Sequence, residues 1–282
     1  MLGNAVITAP YKGADRNNIT AYIIALTFFL CLSPLIFKLA EKVLCKPNGA
    51  VYKRLLFITL IPLILYDATV CFKQFCIFVS RIILPKTPTA TVMIIFALTV
   101  LFLALKSDTV IYKYALVSFF AVALTVLLFF LLSFKEFSAD ELVIYRMPDI
   151  KSTLYQSGEY LLRVFVPSLS AAVFVYASGN NKVSKPLFIG YGAGSLMLLI
   201  CILNSFLLFG AKTAGSTDYP YSFAISTVSV GALFTRMDFF AYVSFFITSV
   251  IKITVSLKAV KLIFDKTVAK TKLSQYNKSQ TG

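Results

Sequence analysis

The sequence contains no histidine and no tryptophan, and it has only 12 acidic residues among 282. A chain without histidine lacks the commonest metal ligand and the side chain most often used in acid–base catalysis. Its five cysteines form no CxxC pair, which also argues against a zinc site. The chain has no glycine-rich phosphate loop and no nucleophile motif. We therefore expect no enzymatic activity, no cofactor and no metal.

Charged residues of both signs are scarce. They make up 14% of the chain, whereas soluble domains usually carry about 25%. Hydrophobic residues make up 59%, and the apolar runs reach the ~20 residues that a helix needs to cross a bilayer. Backbone groups in lipid must be hydrogen-bonded internally, and the period-two alternation of a membrane barrel is absent. The sequence therefore predicts an all-α polytopic membrane protein.

Seven apolar runs are long enough to be full membrane spans. They are residues 19–40, 55–84, 89–106, 111–134, 158–178, 187–210 and 238–265. An eighth stretch, residues 2–11, is too short to cross the bilayer and contains Gly3 and Pro10, so we interpret it as the second half of a broken helix. We predict one transmembrane domain over residues 1–265 and a basic tail over residues 266–282.

The positive charges lie between the apolar runs and predict the orientation of the chain. Lysines occupy the links 38–54, 106–113 and 179–186 and the tail 266–282, and all four segments fall on one side if every run crosses. Short loops rich in lysine and arginine face the cytoplasm, so we expect a cytoplasmic C-terminus. This placement also accounts for the net charge of +15 without nucleic acid, for which no binding motif is present.

Two charged residues lie inside predicted spans, where charge is expensive and often functional. Lys252 is near the middle of 238–265 and should face a cavity or a carboxylate. It is either a fixed cation or proton-titrating group, or one half of a structural ion pair. Asp67 lies centrally in 55–84 and is one possible partner of Lys252; a transport role is the alternative.

A proline in the span 158–178 marks a possible break in that helix. Pro167 removes a backbone donor and is followed by Ser168 and Ser170, so we expect this stretch either to unwind around a cavity or simply to kink. Paired broken helices are a sequence sign of a transporter-type site, and residues 2–11 would supply the second break. The candidate ligand-binding residues are Gly3, Asn4, Ala5, Pro167, Ser168 and Ser170.

Three stretches carry a resemblance to a known family. The first is the turn Ile83 to Pro88, with Pro85, Thr87 and Pro88; the second is Arg236 and Asp238 leading into the helix that contains Lys252; the third is the opening, Leu2 to Pro10. In this order they resemble the B-subunit family of bacterial spore germinant receptors. These are permease-like relatives of the amino acid–polyamine–organocation superfamily.

The resemblance implies a fold of two inverted five-helix repeats, with a ligand pocket between broken helices one and six. On that mapping, the chain is a truncated repeat that starts within helix one and stops after helix eight. Lys252 would lie near the sodium site of related permeases and replace the metal with a fixed charge. The family usually has a glycine and a glutamate at the break in helix six, where this chain has Ser170 and Ala171.

The resemblance also implies a function. We expect a B-type receptor subunit in the spore inner membrane or the bacterial cell membrane, which senses a small nutrient such as an amino acid. Its partners would be the A- and C-type receptor subunits and the lipid bilayer. One alternative is a proton- or sodium-coupled amino-acid permease, with Lys252 and Asp67 as the ion- or proton-linked groups. Another is a membrane scaffold that binds no ligand.

Overall fold

The computed structural model describes residues 18–45, 50–137, 150–177, 184–216, 219–227 and 238–280, and no strand occurs in these ranges. Eight α-helices follow one another: α1 Asn18–Cys45, α2 Ala50–Phe78, α3 Thr89–Leu105, α4 Asp108–Ser133, α5 Ile150–Ala177, α6 Ser184–Ser216, α7 Pro220–Thr227 and α8 Asp238–Gln280. A π-helical turn, Val79–Ile83, extends α2, and a 3-10 turn, Phe134–Glu136, ends α4.

Each of the seven predicted spans coincides with one long helix, which confirms the all-helical, multi-pass class. Four segments are long and apolar enough to cross a membrane: Thr59–Ile83, Asp108–Glu136, Pro186–Gly210 and Phe239–Asp265. Three further apolar segments are shorter: Ala21–Pro34, Thr89–Leu105 and Phe165–Tyr176. The count of seven crossings and the inverted repeat remain predictions. The predicted half-helix 2–11 lies outside the described residues, and α8 continues past residue 265 into the predicted tail.

The outward faces of the bundle are apolar. On α3, large side chains that are more than half exposed form one such face: Ile94, Ile95, Leu98, Leu101 and Phe102. Soluble proteins rarely expose a continuous apolar face of this kind. In a multi-pass membrane protein the same face contacts lipid, so the exposure agrees with the composition.

The helix α8 lies at the centre of the bundle and packs against α2, α3, α4, α5 and α7, while α1 packs against α5 and α6. A cluster of aromatic rings joins α8 to α2 and α3. Phe75 lies 4.4 Å from Phe96 between ring centroids, and both rings lie 5.8 Å from Phe246. Such pairs add about 0.5–1.5 kcal/mol each beyond their buried area, so this cluster fixes the position of α8.

The turn between α2 and α3 contains the motif residues Pro85, Thr87 and Pro88. The N–H of Thr87 donates to the carbonyl of Leu84 at 2.9 Å, and α3 begins directly after Pro88. The hydroxyl of Thr89 donates to the Ser80 hydroxyl at 3.1 Å, which ties the start of α3 to the π-turn. Proline cannot donate a backbone hydrogen bond, so Pro85 and Pro88 suit a turn that joins two helices. The motif therefore has a structural role.

The helix α6 is interrupted at Gly210, whose backbone has φ 71° and ψ 162°. Only glycine adopts this region without strain. The chain therefore changes direction at Gly210, between the apolar segment of α6 and its last turns, before it reaches α7.

Candidate functional site

Lys252 of α8 forms a buried ion pair with Asp67 of α2. The lysine Nζ lies 2.9 Å from Asp67 Oδ1, and the two side chains are only 5% and 13% exposed. Charges in an apolar interior are found paired because an isolated buried charge is very costly. The prediction that Lys252 faces a carboxylate or a cavity is confirmed, and Asp67 is the carboxylate.

The pair leaves hydrogen-bonding capacity on both partners. An ammonium group has three N–H donors, and Asp67 Oδ1 accepts one of them. Asp67 Oδ2 is buried and has no hydrogen-bond partner among the described residues, and the same is true of Ser249 Oγ. Cys71, one turn after Asp67, lies close to Ser249 and to both charges. The pair is thus the centre of a small polar region between α2 and α8.

Lys252 also lines an open cavity of about 230 Å³, whose walls come from α4, α5, α6 and α8. Its walls are largely apolar and include Phe119, Val122, Ile251 and Val255. Lys252 carries the only charge in the lining described by the structure. A cation in the wall of an apolar cavity between membrane helices makes this space the candidate site.

The hydroxyl groups that line the cavity already donate to helix carbonyls. Ser118 donates to the carbonyl of Tyr114 at 2.6 Å, and Thr248 donates to that of Ser244 at 3.0 Å. Ser170 donates in the same way to Pro167 at 2.9 Å. Their oxygen atoms retain lone pairs that can accept. Toward a ligand, these hydroxyls therefore act as acceptors, and the charged donor is Lys252.

Of the two expectations for residues 163–170, unwinding or a simple kink, the unwinding is wrong, because α5 is helical without interruption from Ile150 to Ala177. The serines that suggested a break hydrogen-bond within the helix instead: Ser168 donates to the Phe165 carbonyl and Ser170 to that of Pro167. Tyr191 of α6 donates to the same Pro167 carbonyl at 3.2 Å. The helix α5 therefore continues through Pro167.

The structure brings together only part of the predicted site. Pro167 and Ser170 line the cavity with Lys252, whereas Ser168 is fully buried and does not line it. Asp238 is the first residue of α8. Four predicted residues lie outside the described ranges: Gly3, Asn4, Ala5 and Arg236.

Sequence reasoning missed the contribution of α6, which supplies Gly190, Tyr191 and Gly194 to the cavity wall. A signal was present, because Gly190 and Gly194 are four residues apart in an apolar helix, and small residues at that spacing mark close helix approach in membranes. A Cβ added at Gly190 would meet nothing within 4 Å, which is also true at Gly192, a residue that does not line the cavity.

A second ion pair, which the sequence did not predict, lies two turns further along α8. Lys258 Nζ is 3.1 Å from Asp108 Oδ1 and donates to the carbonyl of Lys106 at 2.8 Å. Neither Lys258 nor Asp108 lines the cavity. These contacts tie α8 to the start of α4 and to the link that precedes it.

An apolar helical bundle of this kind is that of a multi-pass membrane protein. The profile of the spore permease family, described as spore germination protein, matches residues 1–277. The chain belongs to this family, which confirms the resemblance to spore germination proteins seen in its motifs. No curated protein and no solved structure matches the chain.

Proposed function

We propose that the protein is the membrane-embedded B-type subunit of a spore germinant receptor and that it senses a small nutrient, such as an amino acid, in the cavity between α4, α5, α6 and α8. The spore inner membrane or the cell membrane is its location, with the C-terminus in the cytoplasm. The observation that carries the proposal is the buried Lys252 in the wall of a cavity of about 230 Å³.

The size of the cavity supports a small ligand. Pockets for drug-sized molecules measure about 300–1,000 Å³, and this one is smaller. Its polar groups are few and lie on four helices: Ser118 on α4, Ser170 on α5, Tyr191 on α6, and Thr248 and Lys252 on α8. A site of this kind selects one small molecule by a few directed contacts and by shape.

Sensing requires that the ligand binds one state of the protein more tightly than another. The cavity is lined by four separate helices, so a bound molecule favours the arrangement of those helices that fits it best. The A- and C-type subunits are the proposed partners that receive this change. In this proposal Pro167 and Ser170 contact the ligand; the predicted ligand-binding residues Gly3, Asn4 and Ala5 lie outside the described residues.

A pair of glycine variants on one helix tests the site without changing any charge. Gly190→Leu places a side chain at the cavity wall, whereas Gly192→Leu places the same side chain at a position outside the lining, and both positions have room for a Cβ. We expect spores with Gly190→Leu to need much more nutrient to germinate and spores with Gly192→Leu to respond normally, at matched protein levels on an immunoblot. Equal responses of the two variants would contradict the site.

The buried ion pair favours a second candidate, a proton- or sodium-coupled amino-acid permease. Intramembrane carboxylates with spare acceptor capacity often serve ion pathways, and Asp67 Oδ2 is such a group. Uptake of radiolabelled amino acids into vesicles that contain the purified protein separates the two candidates. Saturable accumulation that depends on a proton or sodium gradient supports the permease, and its absence in vesicles that still bind the amino acid supports the sensor.

A further inference from the structure

The outward face of α2 is an exception among the apolar outer faces of the bundle. Tyr66, Thr69 and Lys73 follow one another at spacings of three and four residues, which places them on one face of the helix. All three side chains are exposed, Tyr66 to 71%. Neither the hydroxyl of Tyr66 nor the ammonium group of Lys73 has a hydrogen bond or an ion pair with another described residue. The three residues form a polar stripe that α3, α5 and α8, the helices packed on α2, leave open.

The depth of Lys73 makes its exposure costly in a membrane. Lys73 lies eight residues before Arg81, an exposed residue at the end of the segment Thr59–Ile83, and this separation corresponds to about 12 Å along the helix. The hydrocarbon core is about 30 Å thick, so Lys73 lies closer to its middle than to its surface. A lysine near a helix end extends its four-carbon stem to water, but this stem is too short for that depth. A lysine that faces lipid tails here is strongly unfavourable.

Other outward faces show what a lipid-facing surface of this protein looks like. Between residues 116 and 131 of α4, every exposed side chain is apolar, and Leu124 and Phe120 are the central large ones. Lys261 of α8 is exposed, yet it lies only four residues before Asp265, where its segment ends. Its ammonium group therefore reaches the membrane surface. The polar stripe of α2 differs from both, which indicates that protein rather than lipid covers it.

We propose that the polar stripe of Tyr66, Thr69 and Lys73 is a docking site for a membrane-spanning helix of another protein that carries a carboxylate at the depth of Lys73. Such a carboxylate pairs with the ammonium group and removes the cost of the exposed charge. The Thr69 hydroxyl already donates to the carbonyl of Leu65 at 2.8 Å, so its oxygen is an acceptor for the docked helix. Polar side chains that bond across helices hold membrane helices together.

The geometry disfavours two other occupants of the polar stripe. A second copy of this chain in a symmetric pair has the same orientation in the membrane, so Lys73 would meet another Lys73 at the same depth, and like charges repel. An anionic lipid keeps its headgroup at the membrane surface, well above Lys73. None of the three residues lines the cavity, so the docking site stands or falls separately from nutrient binding.

The test uses the full-length protein in phosphatidylcholine vesicles and a leucine-rich, single-span peptide with one central glutamate. Energy transfer from a fluorophore on the protein to one on the peptide measures binding, and matched peptides carry glutamine, leucine or lysine at the central position. Polar contacts between membrane helices change affinity by about three- to twentyfold. We expect the glutamate peptide to bind more tightly than the leucine peptide by such a factor, and the lysine peptide to bind most weakly.

Two variants assign this preference to Lys73. Lys73→Glu should reverse it, so that the lysine peptide binds more tightly than the glutamate peptide. Lys261→Met, which removes the exposed lysine near the end of α8, should leave it unchanged. Both side chains are exposed, so both variants should keep the melting temperature of the unmodified protein.

Three results would overturn the docking site. The first is equal binding of all four peptides, and the second is a preference for glutamate that survives Lys73→Glu. The third is energy transfer between copies of the protein that Lys73→Glu abolishes, which would assign the polar stripe to a second copy instead.

Discussion

Replacing Lys252 with methionine removes the cation of the buried pair and leaves the carboxylate of Asp67 without its partner. The side chain of Asp67 is 13% exposed, and its Oδ2 already has no hydrogen bond within the described residues. An uncompensated charge in this position is strongly unfavourable. The reciprocal change, Asp67→Asn, leaves Lys252 in contact with the cavity, where water can solvate it. We therefore expect Lys252→Met to be the more destabilising of the two.

The magnitude follows from what is known of buried ion pairs. Removal of one partner typically destabilises a protein by about 3–5 kcal/mol, whereas replacement of both partners by neutral residues is often nearly neutral. For a chain of this length, an unfolding entropy of about 2.1 cal/mol/K per residue converts that loss into a melting-temperature decrease of roughly 5–9 °C. The double variant Lys252→Met with Asp67→Asn should recover most of this decrease.

The chain contains its own reporter for the measurement. Cys71, Cys76 and Cys201 are buried free thiols, and Cys31 is exposed. A thiol-reactive dye therefore gives a baseline from the thiols that are accessible in the folded protein, among them Cys31, and a cooperative increase as the detergent-solubilised protein unfolds. The melting temperatures of the two single variants and the double variant form a double-mutant cycle, which isolates the energy of the pair.

Lys258 provides the matched control, because it lies on the same helix and is also paired with an aspartate. Its partner Asp108 has a side chain that is 33% exposed, and pairs near a surface contribute only about 0–1 kcal/mol. Lys258→Met should thus lower the melting temperature by no more than about 2 °C. If Lys258→Met and Lys252→Met have equal effects, or if the decreases of the two single variants simply add in the double variant, the reasoning about the buried pair is refuted.

Three further changes can be checked with the same thiol melting assay. Gly210→Ala should destabilise by about 1–3 kcal/mol, because alanine is strained at φ 71°; an unchanged melting temperature would mean that the interruption of α6 is not needed. Phe75→Ala should destabilise by about 3–5 kcal/mol, since it removes the ring stacked on Phe96, and a smaller effect would mean that the cluster repacks. Tyr22→Phe removes the 2.9 Å hydrogen bond to the Ser195 carbonyl and should destabilise by about 0.5–1.5 kcal/mol; no change would show that water replaces this bond.

The class of the fold and the positions of the long helices could be predicted from the sequence because a bilayer requires apolar runs of a fixed length. It was also predictable that Lys252 has a partner inside the protein, since a charge in such an apolar run is very costly when it is unpaired. Its pairing with Asp67 could not be derived, because the two residues are 185 positions apart and helix periodicity says nothing about which neighbour a face contacts.

The site was less predictable than the fold. Pro167 followed by two serines has the composition of a broken helix, but the outcome depends on where the hydroxyls donate. They donate to carbonyls of their own helix and α5 continues. Tyr191 and Thr248 line the cavity, yet in the sequence they are ordinary polar residues of apolar helices. Their role depends on how α6 and α8 pack together, and a local sequence pattern does not reveal that packing.

The two lysines of α8 constrain how that helix can move. Lys252 pairs with α2 and Lys258 pairs with the start of α4, and their separation of six positions corresponds to about 9 Å along the helix. A translation of α8 along its own axis by one turn, about 5.4 Å, would break both ion pairs together. A tilt that pivots on Lys258 keeps one attachment and opens the other, so a rocking motion is the easier path when the pair at Lys252 loosens.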